Sequence, residues 1–280
     1  MHKIDILLAT YNGEKYLAEQ LDSILNQSYQ DFMILIHDDN STDGTIGIIN
    51  KYQRNYPEKI KYLDDNISTG SAKNNFEFLL NESRAQYIMF SDQDDFWLPN
   101  KIELSIEKMI NTENSNKNTP VLIYSDLCIV DENLNIIHNS MFDLNFQEYK
   151  KNSLYKLMLG NYITGNTILI NSISKKHILP IPDDAIMHDW WIGLNIMKVG
   201  IIDSIDNQLT LYRQHEYNVC GVNIKKEGFI RKIFKIKKLI SKNANILKML
   251  DKLSFKINYI KYYYYKLLFI IYKAKYDKKY

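Results

Sequence analysis

Short apolar runs alternate with segments of helical spacing through the first hundred residues. Residues 4–9, 32–36, 60–63 and 87–90 are apolar runs of strand length, each bounded by a polar loop. Between the first two, Leu17, Leu21, Ile24 and Leu25 recur at helical spacing and predict a helix over 15–27. Helices over 43–56 and 72–80 fill the next two intervals; Ser41, Thr42 and Asp43 offer N-cap oxygens to the first of them. This rhythm predicts an α/β fold built on a doubly wound, mostly parallel sheet. The second half is less regular. Strands are expected at 121–124 and 128–130, with 136–138 folding back as a hairpin, and at 167–170, 201–205 and 209–213. Helices are expected at 154–159 and 188–199, and helical spacing resumes from 224.

In sheets of this kind, ligands gather beyond the carboxyl ends of the strands. Three polar loops stand there: Thr10-Tyr11-Asn12-Gly13, then His37-Asp38-Asp39-Asn40-Ser41-Thr42-Asp43-Gly44, then Ser91-Asp92-Gln93-Asp94-Asp95. The third places three carboxylates within four positions at the end of a buried run. Their mutual repulsion and desolvation would be relieved by a divalent cation. Taken alone, the same residues would also serve as an acidic turn capping a helix that begins near Lys101.

Composition alters the picture mainly at the C-terminus. The net charge of +2 divides into +14 for residues 225–280, with 17 basic and 3 acidic side chains, and −12 for the rest. Within the tail, apolar residues at 229, 230, 233, 236, 239 and 240 fall on one helical face with lysines beside it, the pattern of an interfacial amphipathic helix. The same tail could instead dock as a helical pair on the acidic body or on a second subunit. Cys128 and Cys220 lack a paired spacing and suggest a reducing compartment. The N-terminus shows no signal pattern, and the longest apolar stretch is too short to span a bilayer. There is no GxGxxG after the first strand and no GxxxxGK[ST], which argues against nicotinamide and P-loop sites. No nucleic-acid-binding signature accompanies the basic tail.

The three loops, in this order and each after a strand, resemble those of family-two glycosyltransferases with the GT-A fold. His188-Asp189-Trp190-Trp191 and Tyr212-Arg213-Gln214-His215 extend the likeness to roughly residues 3–220, and are most similar to the bacterial rhamnosyltransferases of cell-surface polysaccharide synthesis. The resemblance implies a catalytic domain over 1–222, its nucleotide-binding half about 1–100 and its acceptor-side half about 101–222. The basic amphipathic helical tail over 223–280 is read from its charge and spacing, outside the likeness. The resemblance implies that Thr10, Tyr11, Asn12, Asp38, Asp39, Lys73 and Asp92 approach the nucleotide, with base recognition on Asp39. Asp92 and Asp94 would hold Mn²⁺ or Mg²⁺, with His215 as a third ligand or a diphosphate contact. Asp189 would be the general base. Gly165, Asn166, His188, Trp190 and Trp191 would line the sugar or acceptor pocket; Asp95 stays open between a helix cap and an acceptor contact.

Each of these residues has a plainer use. Asp38 and Asp39 suit an Asx turn, Lys73 a solvated helix face, Gly165 and Asn166 a strand start, and the tryptophan pair a core. The partners implied are a UDP- or dTDP-linked sugar, a glycan or lipid-linked acceptor and an anionic membrane surface, with no nucleic acid. The location implied is the cytoplasm or the inner face of the plasma membrane. A non-catalytic subunit that binds nucleotide sugar or glycan on the same fold is the alternative.

Overall fold

The computed structural model describes residues 3–64, 67–144, 153–215 and 243–276. The four apolar runs of the first half become β1 (Ile4–Thr10), β2 (Phe32–Asp38), β3 (Ile60–Tyr62) and β4 (Tyr87–Ser91). They lie side by side in the order β3-β2-β1-β4, all parallel. The connecting helices are α1 (Leu17–Leu25), α2 (Thr45–Asn55) and α3 (Ala72–Glu82), close to the spans that periodicity predicts. Register decides what meets at the strand ends. Thr10 pairs opposite Asp38 and Leu8 opposite Ser91, so the three polar loops leave the sheet together.

Beyond β4 the sheet becomes mixed. It continues through β8 (Ile168–Asn171), β6 (Val121–Val130), β9 (Ile201–Arg213) and β5 (Phe96–Trp97), with β7 (Ile136–His138) folded back on β6 as the expected hairpin. β4–β8, β8–β6 and β9–β5 are antiparallel, whereas β6–β9 is parallel. The runs at 121–124 and 128–130, expected as separate strands, are one strand, and so are 201–205 and 209–213. The polar residues that look like breaks are absorbed by register shifts at Ser125/Asp126 and Asp126/Cys128. Asp126 tolerates burial there because Leu127 N, Ser140 Oγ, Phe142 N and Gln208 Nε2 all donate to its carboxylate. The remaining helices are α4 (Lys101–Ser115), α5 (Met141–Leu144), α6 (Leu154–Leu159), α7 (Lys175–Ile178) and α8 (His188–Val199).

Side-chain alternation along the strands builds two cores. Ile4, Ile6 and Leu8 of β1, with Ile34 and Met89, pack under Leu17, Leu21 and Ile24 of α1 and Ile102, Ile106 and Met109 of α4. Leu7, Leu35, Ile88 and Phe90 face the other way, against Phe76 and Leu79 of α3 and Ile192 and Leu194 of α8. The tail adds to this second core. Residues 243–251 are helical, and Ile246, Met249, Leu250 and Leu253 join it together with Tyr262 of the C-terminal helix, Tyr259–Tyr276. Tyr265 stacks on Tyr155 at 5.0 Å, and Lys252 pairs with Asp184 at 3.3 Å. The amphipathic segment expected at 229–240 lies outside the described residues. Among the described residues, no helix is long and apolar enough to cross a membrane.

Candidate active site

The first two loops are wired to each other. Thr10 Oγ1 donates to Asp38 Oδ1 at 2.7 Å, and Asp38 also accepts from Ser41 Oγ at 2.6 Å and Ser41 N at 2.7 Å. Asn12, at φ +48°, accepts from Thr42 N at 2.8 Å and donates its own N–H to Ser41 Oγ. A short polar side chain tolerates that left-handed backbone better than a branched one. Asp39 differs from Asp38. Thr69 N, Gly70 N and Ser68 Oγ all donate to its Oδ1, and among the described residues Oδ2 has no partner. Asp38 is thus spent on the loop, whereas Asp39 keeps one oxygen for a ligand.

The third loop is tied to the first by Gln93. Its Oε1 accepts from Tyr11 N at 2.8 Å and its Nε2 donates to Tyr11 O at 2.9 Å. Gly13 leaves room beneath it: a Cβ there would come within 2.3 Å of Oε1, so the Gln93 amide would have to move. Sequence reasoning passed over Gln93, although its place between two carboxylates was the signal. Tyr11 itself stays exposed.

Asp94 and His215, 121 residues apart, meet: His215 Nε2 lies 2.8 Å from Asp94 Oδ2. Arg213 secures this arrangement from inside. Its Nε donates to Asp94 O at 2.9 Å, its N–H to Asp95 Oδ1 at 3.1 Å, and its guanidinium stacks on Tyr16 and pairs with Glu19. Asp95 is fully buried, with Asn166 Nδ2 on its other oxygen. Both oxygens are therefore engaged in holding the loop, and none is left for an acceptor. Burial, with Asp94 beside it, pushes the Asp95 carboxyl up to about 7. Burial also raises Asp92, helped by the charges of Asp95, Asp94 and Asp189.

Asp189 opens α8 within the field of this cluster. Its Oδ2 accepts from Gly165 N at 3.1 Å and its Oδ1 from Trp190 N at 2.6 Å. Burial raises its carboxyl to about 6 despite these donors. The turn Gly165–Thr167 lies against α8, and a Cβ on Gly165 would sit 2.8 Å from His188 Nε2. His188 is buried against Phe76 at 4.1 Å, and burial holds its ring neutral with a pKa near 3. Neither His188 nitrogen, nor Asn166 Oδ1, has a hydrogen-bond partner among the described residues. The tryptophans are buried in packing rather than presented to a ligand. Trp190 Nε1 donates to Leu157 O and Trp191 Nε1 to Ile178 O, with both rings in the core behind α8. Lys73 is also drawn aside, donating to Asp183 O at 2.8 Å and Pro182 O at 3.2 Å.

The donors Asp92, Asp94 and His215 suit a hard or borderline divalent ion. Among the described residues, no three His, Cys, Asp or Glu side chains are set to hold a metal unaided. Mg²⁺ and Mn²⁺ keep waters and take substrate phosphates as ligands, so two carboxylates and an imidazole need not form a closed cage. The crowding of Asp92, Asp94 and Asp95 supplies the charge demand that such an ion would answer. The residues therefore fit the group.

Comparison with known proteins points the same way. The family model for glycosyl transferase family 2 matches residues 5–170. The chain is 32% identical over 253 residues to the dTDP-rhamnosyl transferase RfbG of Shigella flexneri, covering 86% of this chain and 84% of that protein. It is 26% identical to an uncharacterized glycosyltransferase of Rickettsia typhi, over 86% of this chain and 76% of the relative. Among solved structures, it resembles S. aureus TarS 1–349 in complex with UDP-GlcNAc (TM-score 0.59, 18% identity, 91% of this chain and 68% of that one). It also resembles the mannosyltransferase PcManGT of Pyrobaculum calidifontis in complex with GDP-Man and Mn²⁺ (TM-score 0.58, 13% identity, 77% and 58%). The chain spans about three fifths of PcManGT and of the UDP complex of TarS, where coverage is 60%. These structural likenesses establish the GT-A fold.

Proposed function

The chain belongs to glycosyl transferase family 2, and on that premise we propose a metal-dependent, inverting transferase of surface polysaccharide synthesis. It moves a sugar from a dTDP- or UDP-linked donor to a hydroxyl of a glycan or lipid-linked acceptor. The similarity to a dTDP-rhamnosyl transferase favours rhamnose as that sugar. The observation that carries this reading is the turn at Gly165–Asn166, whose first residue bonds Asp189 and whose second bonds Asp95 of the acidic loop.

Asp39 Oδ2 receives the nucleoside, beside the loop of Thr10, Tyr11 and Asn12. Asp94, His215 and Asp92 would hold Mg²⁺ or Mn²⁺, which when bound supplies neutralisation of the charge that builds on the diphosphate. Lys73 contributes positive charge from α3 while bracing the 182–183 backbone. The unmatched atoms of Asn166 and His188 suit sugar hydroxyls, and Gly165 lets that sugar approach closely. Asp189 takes the proton of the acceptor hydroxyl. The freed oxygen attacks the anomeric carbon as the bond to the diphosphate breaks on the opposite face, which inverts the configuration. An un-ionised hydroxyl is a poor nucleophile, so loss of the base is expected to lower kcat by about 10²–10⁴-fold. The test is Asp189→Asn, assayed for transfer and for nucleotide-sugar binding. Binding that survives while transfer is lost supports the reading; transfer at the wild-type rate refutes it.

We further propose that the enzyme works at the inner face of the plasma membrane. Ile260, Tyr263, Tyr264, Leu267, Leu268 and Ile271 are exposed on one face of the C-terminal helix, opposite Tyr262, which is buried. No acidic residue occurs between 252 and 276, and residues 225–280 carry +14. An anionic lipid surface meets both properties, whereas a second copy of this positive face would be repelled.

A further inference from the structure

Lys101 is the first residue of α4, and it is completely buried. Its ammonium donates to the carbonyl of Asn166 and to Thr210 Oγ1 at 2.6 Å, and it lies 3.9 Å from the centroid of the Trp97 ring. Among the described residues, no carboxylate lies within ion-pair distance of it. Three features oppose this cation, and burial pulls its pKa down to about 7, while the charges of Asp95 and Asp92 hold it up. The ammonium is withdrawn from water, its hydrogen-bond acceptors are neutral, and it sits at the positive end of a helix. A methionine of similar length would fill the space but leave Asp95 and Asp92 without this counter-charge.

What the ammonium touches supplies a reason for it. The carbonyl it holds belongs to Asn166, whose side chain donates to Asp95 in the acidic loop. The preceding residue, Gly165, donates its N–H to Asp189 Oδ2. Thr210 lies on β9, three residues before Arg213, which holds Asp94 O and Asp95 Oδ1. Trp97 follows the same loop and pairs with Thr210 across β5–β9. Lys101 therefore joins the turn that positions the base to the strand that ends at Arg213 and leads into His215. Both supports lead to the acidic loop.

We propose that Lys101 is a positioning residue that sets the spacing between the donor loop and Asp189 through the turn Gly165–Thr167. This rests on the reading of Asp189 as the base. A reacting pair displaced by an ångström can lose about 100-fold in rate with little change in binding. Lys101→Met should lower kcat by about 10–100-fold in protein that remains folded, as its melting curve checks. The KM for the nucleotide sugar should stay within about 3-fold. Thr210→Val, which deletes one partner of the ammonium and leaves the charge, should show a smaller loss confined to kcat. The decisive readout is the double variant Lys101→Met/Asp189→Asn. If Lys101 acts through the base, removing it costs less than about 3-fold once the base is gone. Equal losses in both backgrounds, an unchanged kcat in Lys101→Met, or a loss accounted for by unfolded protein would each overturn the proposal. Failure of the base assignment shows separately, as full turnover by Asp189→Asn alone.

Discussion

Asp189 is half-buried at the head of α8, and its carboxyl titrates near pH 6 because burial opposes its charge. Two expectations follow at the scale of this residue. The proposed base must be ionised to act, so kcat/KM should fall as pH drops below about 6, and this acidic limb should vanish in Asp189→Asn. The second concerns stability. A carboxyl whose folded pKa is raised stabilises the fold below its unfolded value near 3.8, and that contribution is lost as pH rises through about 6. Asp189→Asn should therefore melt above the wild type at pH 7.5, and the difference should shrink towards pH 4. Melting curves across that range check it. Individual residues were unevenly legible in the sequence. Asp39 and Asp189 stood out because each follows or opens an element whose pattern is plain. The meeting of His215 with Asp94 depends on where β9 lies in the sheet, which no local pattern encodes. Lys101 was legible only as a helix start, because its burial is decided by the turn and strand that close over it.

At the scale of elements, the first half was legible because β1, β2 and β4 alternate cleanly between two buried faces. The second half was not. Ser125-Asp126 in β6 reads as a break, yet the strand bulges and buries the carboxylate among donors from its own strand and two other segments. Such donors cannot be foreseen from spacing. The short strand β5 was likewise invisible, since two residues carry no period. The turn Gly165–Thr167 gives the sharpest element-level test. Gly165→Ala would place a methyl 2.8 Å from His188 Nε2 and press the turn away from α8. Overpacking of this kind costs about 1–3 kcal/mol. Because the turn also carries the donor to Asp189, kcat should fall by more than the stability change explains. Urea denaturation and steady-state kinetics on the same preparation measure both.

At the scale of the whole molecule, an acidic body carries a basic tail, part of which the structure packs into the second core. The sequence suggested either a membrane helix or a helical pair docked on the body, and residues 243–262 dock. Docking of Tyr262 on one side leaves Ile260, Tyr264, Leu267 and Ile271 turned outwards. Replacing Ile260 and Leu267 with Glu should leave folding intact and abolish co-sedimentation with vesicles rich in anionic lipid. Binding by the wild type should weaken as salt rises. Unchanged co-sedimentation of the double variant would remove the membrane proposal and leave the catalytic one standing. The central claim is that two groups on opposite sides of one crevice, the metal-binding loop and Asp189, together transfer a sugar. Its most direct test is release of nucleoside diphosphate from dTDP-rhamnose and UDP-sugars in the presence of a glycan acceptor, with Mn²⁺ or with chelator, for wild type and Asp189→Asn. Turnover of at least one donor by the wild type with Mn²⁺ alone, and binding without turnover by the variant, is the predicted result. Turnover in chelator, or an Asp189→Asn enzyme as fast as wild type, would contradict it.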